Sequence, residues 1–154
     1  MKTSKTIIGM CLMVVVLAGA ALMAPVSTAS ADSGGGTGWL DASGTGTAGV
    51  RGTGSITVSG AGALWVKDLA GDASIDVSGF GKVTFYRNGW RKDTGFNGNA
   101  SISGSSVEAK ITGANIHLYA EGTGVFYVRG RGSYSTSHRS GDWPPYFRRT
   151  FDLE

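Results

Sequence analysis

The segment Ile56-Thr57-Val58-Ser59-Gly60-Ala61-Gly62-Ala63-Leu64-Trp65-Val66 is answered, one unit further on, by Ile75-Asp76-Val77-Ser78-Gly79-Phe80-Gly81-Lys82-Val83-Thr84-Phe85. At one constant offset Ile56 matches Ile75, Val58 matches Val77, Gly60 matches Gly79, Leu64 matches Val83 and Val66 matches Phe85. In an extended chain alternate side chains point to opposite faces, so Ile56 and Val58 point one way while Thr57 and Ser59 point the other. The glycine that follows turns a corner without a Cβ penalty. A unit this short cannot bury its apolar face alone, so the repeat predicts stacking, with Ile75 on Ile56 and Val77 on Val58.

Outward from this pair the same form, apolar-x-apolar-x-Gly, recurs at Leu40-Asp41-Ala42-Ser43-Gly44, Ala100-Ser101-Ile102-Ser103-Gly104 and Leu118-Tyr119-Ala120-Glu121-Gly122. The five units thus start at Leu40, Ile56, Ile75, Ala100 and Leu118, at intervals of 16, 19, 25 and 18 residues. A second short apolar segment follows each, such as Leu64-Trp65-Val66-Lys67, Val107-Glu108-Ala109-Lys110 and Phe126-Tyr127-Val128-Arg129. Helical periodicity is missing from residues 32–154. The expected fold is therefore all-β: a small single-domain β-solenoid, or β-helix, of about five short rungs with a C-terminal cap. A β-sandwich or meander is the alternative, since short strands with regular turn signals suit it too.

The long interval between Ile75 and Ala100 contains Arg87-Asn88-Gly89-Trp90, a strong hairpin signal. A two-residue turn there places Tyr86 opposite Arg91, with the extra residues projecting as a hairpin tip. In the last segment Trp143-Pro144-Pro145-Tyr146 is not a central strand, because proline donates no ladder hydrogen bond. Residues 147–153 alternate apolar and polar residues less cleanly, with a final edge strand as one reading, and residues 133–154 read as the cap or tail of the solenoid.

These units, with intervening Gly52-Thr53-Gly54, Gly60-Ala61-Gly62, Gly79-Phe80-Gly81 and Gly122-Thr123-Gly124, resemble the auto-transporter adhesin head (GIN) domain of exported bacterial proteins. The resemblance covers about residues 40–130. It implies a β-helical, surface-associated protein and brings no catalytic residues.

The amino-terminal segment has a different character. Lys2 and Lys5 precede an uncharged run at residues 7–24, Pro25 ends it, and Ala29-Ser30-Ala31 has the small-x-small pattern of a cleavage site. Residues 1–31 are expected to be a signal peptide cut after Ala31, the competing reading being an uncleaved anchor. Residues 32–39 then form a flexible Gly-rich leader and residues 40–132 the repeat domain. Cys11, the only cysteine, lies in the apolar run, so the exported part has neither disulfides nor thiolate metal sites. The formal charge of +3 falls to +1 once Lys2 and Lys5 are removed, an argument against nucleic acid as partner. No stable membrane insertion is expected after cleavage.

Few residues suggest chemistry. Gly44-Thr45-Gly46-Thr47-Ala48-Gly49 spells a dinucleotide motif, but no helical pattern follows to hold a pyrophosphate. Asp72 and Asp76 lie four apart, on one face if both are in a strand, and are the catalytic candidates of a carbohydrate-active enzyme. Together with Asp68 they also prompt a calcium reading, which the missing Gly-Gly-x-Gly-x-Asp repeat opposes. His117 and His138 are too isolated to form a metal site, and no cofactor is implied. The C-terminal region interleaves basic and aromatic residues, making Tyr134, His138, Trp143, Tyr146, Arg148 and Arg149 candidates for binding sugar or an anionic polymer; packing within the cap is the other use of the same aromatics.

The sequence thus points to an exported protein, extracellular, at the cell surface or periplasmic. The expected role is a non-catalytic β-repeat, structural or adhesin-like, with a glycan or another envelope component as partner and self-stacking through uncapped rungs. A carbohydrate-active enzyme built on the Asp72 and Asp76 pair is the alternative.

Overall fold

The computed structural model describes residues 37–153, which are all-β. The expected signal peptide, its cleavage site, Cys11 and most of the Gly-rich leader lie outside the described residues. The strands are β1 (Gly38–Asp68), β2 (Ser74–Phe85), β3 (Trp90–Thr136), β4 (Ser140–Asp142) and β5 (Arg149–Asp152). They form one antiparallel sheet in the order β1-β3-β2, with β4 and β5 also pairing with β3. Trp39 of the leader already belongs to β1, and β3 continues to Thr136 beyond the expected end of the repeat domain.

Strands of this length are subdivided by glycine. Gly44-Thr45-Gly46 faces Gly130-Arg131-Gly132, and Gly52-Thr53-Gly54 faces Gly122-Thr123-Gly124. Gly46, Gly54, Gly122, Gly124, Gly130 and Gly132 all have φ between +135° and +157°. A Cβ on Gly46 would also run into the Arg129 carbonyl opposite. These sites therefore require glycine twice over, for conformation and for close approach.

Most β1 residues pair with β3 twice. Leu40 lies opposite both Ala120 and Thr136, and Ile56 opposite both Ile102 and Ala120. The two partners of each residue lie about one sequence repeat apart. Two rows of paired segments result. Residues 40–44, 116–120, 55–59, 99–103 and 74–78 make one; residues 46–52, 107–113, 61–68, 90–97 and 82–85 make the other.

The expected direct stacking of like on like is corrected by this register. Ile102 lies between Ile56 and Ile75, and Ala100 between Val58 and Val77. The matched units run parallel, whereas every pairing here is antiparallel, so the returning strand is inserted between them. The hairpin is also displaced by one residue. Tyr86 N–H donates to the Trp90 carbonyl (2.8 Å) and Gly89 N–H to the Tyr86 carbonyl (3.0 Å), leaving a three-residue loop. Gly89 sits at φ 85°, the left-handed position such loops need. Phe85, rather than Tyr86, thus faces Arg91. Nor does the second arm project: Lys67 pairs with Trp90 and Leu64 with Asp93 on its other side.

Inward side chains of both rows share one core. Leu40, Ile56, Val58, Ile102 and Leu118 come from the first row, and Val50, Leu64, Val66, Ile111 and Phe126 from the second. Each fully buried aliphatic side chain contributes roughly 1.5–3 kcal/mol relative to exposure. At the β4 and β5 end, Trp143, Phe151 and Leu153 join this cluster. The rings of Phe126, Tyr134 and Phe151 lie within 5.0–5.3 Å of one another. The Trp143 indole N–H donates to the Ser133 carbonyl (3.0 Å).

Candidate functional site: an aromatic and basic outer face

The alternation that buries Val50, Ala109, Leu64 and Val66 sends the residues between them outward. Across the second row, Tyr127, Gly49, Lys110, Trp65, Lys92 and Thr84 are successive cross-strand partners. Gly49 leaves room for the Tyr127 ring to lie over it. Trp65 is held from several sides. The Lys92 and Lys110 ammonium groups stand 4.5 and 4.9 Å from its centroid. Tyr86 stacks on it at 5.7 Å and Trp90 meets it edge-on at 6.1 Å. Lys67 lies 5.9 Å from the Trp90 ring, and Arg148 lies 3.6 Å from that of Tyr127.

Among the described residues the ion pairs are Arg91 with Asp93 and His117 with Asp41, each at 3.0 Å. The lysines around Trp65 are therefore held by aromatic faces rather than by carboxylates. A groove of about 200 Å³ opens on this face, lined by Thr47, Trp90, Glu108, Lys110, Tyr127, Arg129 and Arg148. Glu108 is its one acidic residue. Burial, reinforced by Glu108 and opposed by Arg148, pushes the Tyr127 hydroxyl up to about 12.

The outer face of the first row is different in kind. It carries Ser55, Thr57, Ser59, Ser101 and Ser103, with Asp41, Asp76 and Glu121. His117 Nε2 sits 3.0 Å from Asp41 Oδ1, both half-exposed. Tyr119 donates its hydroxyl to Glu121. Serines 133, 135 and 140 line a polar trough of about 590 Å³ with Asp41 and Asp142.

The structure separates the acidic candidates. Asp72 and Asp76 do not share a strand face, because Asp72 lies before β2 in the loop after β1. Its carboxylate accepts the Ser105 N–H at 3.1 and 3.2 Å. Asp76 is exposed on β2 opposite Ser101. Asp68 accepts the backbone N–H groups of Ala70, Gly71 and Ala73 at 2.7–3.1 Å, which ties down the loop. Those bonds, led by Ala73, hold its carboxyl below the usual range.

The aromatic and basic candidates divide. Tyr134 and Trp143 are buried in the core. Tyr146 is 90 % exposed beside exposed Phe147, and His138 is exposed in the turn after β3. Arg149 packs 5.0 Å from the Phe151 ring. Arg148 alone joins the face built on Trp65. That face is not evident as a unit in the sequence. Its signal there is the outward positions of the second segments, Trp65/Lys67, Glu108/Lys110 and Tyr127/Arg129, but only pairing register brings them together. No protein-family model matches this chain, and no curated protein or solved structure matches it significantly.

Proposed function

We propose that the chain winds as a two-stranded β-coil and serves as an exported, non-catalytic binding module for an acidic polysaccharide. The coil is supported by the double register. Leu40 with Thr136, Ile56 with Ala120, Asp68 with Val107 and Phe85 with Arg91 are all pairs of one hairpin centred near Asn88. A residue of β1 meets β3 a second time only if that hairpin returns upon itself after each repeat. Extracellular, surface or periplasmic placement rests on the amino-terminal segment, and a structural or adhesin-like role accords with the resemblance carried by the Gly-x-Gly units.

The single observation that carries the binding reading is Trp65 flanked by Lys92 and Lys110, two cations that no carboxylate pairs with among the described residues. Such a face attracts a polyanion, and the neighbouring rings of Tyr86 and Trp90 offer apolar surface for the C–H faces of sugars. The purified protein should bind a polyuronate or sulfated glycan better than a neutral glucan, and less tightly as salt rises. Lys92→Glu with Lys110→Glu should weaken that binding more than tenfold. Equal affinity for single-stranded DNA would overturn the polysaccharide assignment, and no affinity for any polyanion would overturn the whole reading.

A further inference from the structure

The two ends of the sheet are finished differently. At one end β4, β5, Trp143, Phe151 and Leu153 cover the core. At the other, β2 pairs with β3 along one side only. Its inward residues Ile75 and Val77 are only partly buried, and Val83 and Phe85 are 43 % and 76 % exposed. Phe80, at the corner between the rows, is 80 % exposed. One strand back, the inward-pointing charges of Arg91 and Asp93 neutralise each other. Among the described residues this is a strand edge with unmet backbone donors and acceptors and an uncharged apolar flank.

We propose that a second copy of this chain docks there, the two β2 edges pairing antiparallel about a two-fold axis through Phe80. The corners fix the register. Within the chain, Gly44-Thr45-Gly46 and Gly52-Thr53-Gly54 each face another Gly-x-Gly, because a Cβ would strike the opposite backbone. Gly79-Phe80-Gly81 is a triplet of the same form; on its paired side Gly79 lies against Gly98 and Phe80 against Asn97, and on its free side the same triplet from another copy reproduces the Gly-x-Gly pairing of the other two. That register sets Phe80 against its symmetry mate, Val77 against the mate of Val83, and Ile75 against the mate of Phe85. These five apolar residues of β2 then meet apolar residues. Charge agrees: Asp76 comes diagonally beside the mate of Lys82, twice by symmetry, within reach across antiparallel strands. An isologous contact of this kind closes at two copies.

Sedimentation equilibrium of the purified protein should show a dimer. Phe80→Asp with Val83→Lys, both at exposed positions, should weaken self-association at least tenfold while leaving the circular dichroism of the β-sheet unchanged. Asp76→Lys should also weaken it, and adding Lys82→Asp should restore it. In a Cys11→Ser background, Phe80→Cys should form an intermolecular disulfide under mild oxidation. A monomer at all accessible concentrations, or a dimer indifferent to these changes and not linked through position 80, would overturn the proposal. Neither result bears on polyanion binding, which uses residues of other strands.

Discussion

The ring of Tyr127 lies across Gly49, its cross-strand partner, so closely that a Cβ on residue 49 would come within 2.5 Å of the ring. Gly49 is not among the glycines with positive φ; its lack of a side chain is what seats the aromatic and, through it, Arg148. Gly49→Ala should cost about 1–3 kcal/mol, as overpacking does. The loss should be less than additive with that of Tyr127→Ala, because both act on one contact. Denaturant unfolding of the parent, the two single variants and the double variant measures it.

Tyr127 also sets an alkaline limit. Its hydroxyl ionises near 10 in the unfolded chain and about 12 in the folded one. Above pH 10 the unfolded chain releases the proton first, so this contribution to stability is intact below pH 10 and is lost as pH rises towards 12. Replacement by Phe should remove that part of the decline. Phenolate absorbance and thermal melts between pH 9 and 12 would test it, and identical slopes for the two proteins would refute it.

Asp68 acts at the other end of the scale. Its carboxyl is held low by the Ala73, Gly71 and Ala70 N–H groups, so its contribution is present above the ordinary carboxylate range and fades as pH falls through the lowered value. Asp68→Ala should raise amide exchange in residues 69–73 at neutral pH. Acidifying the native protein should do the same, with little effect on exchange in β3.

Asp93 is buried with a bidentate partner, Arg91 Nε and Nη2 donating to its two carboxylate oxygens at 3.0 and 3.1 Å. Arg91→Ala strands that carboxylate and should destabilise by about 3–5 kcal/mol. Replacing both with Met and Leu should recover most of the loss. Chemical unfolding that finds the single variant as stable as the parent would disprove it.

Glycines with positive φ should rank by what faces them. Gly95 has φ +69° but open space around it, so Gly95→Ala should cost about 1–2 kcal/mol for the left-handed backbone alone. Gly46→Ala adds collision with the Arg129 carbonyl and should cost distinctly more, enough to lower the yield of folded protein. Comparing their melting temperatures separates the two effects.

Much was legible in the chain itself. Alternation of Ile56 and Val58 with Thr57 and Ser59 set strand identity and the buried face, because the period of two is a property of each strand alone. The Gly-x-Gly triplets marked where the long strands are subdivided, and Asn88-Gly89 the reversal of direction, for equally local reasons. Which strand lies beside which was not local. The repeat spacing fits direct stacking and fits a returning strand inserted between the repeats, and only pairing selects the second, setting Ile102 between Ile56 and Ile75. The face around Trp65 follows from that choice. Its lysines, Lys92 and Lys110, belong to a different strand from the ring they flank, and nothing nearer in the chain than the pairing register places their charges over it.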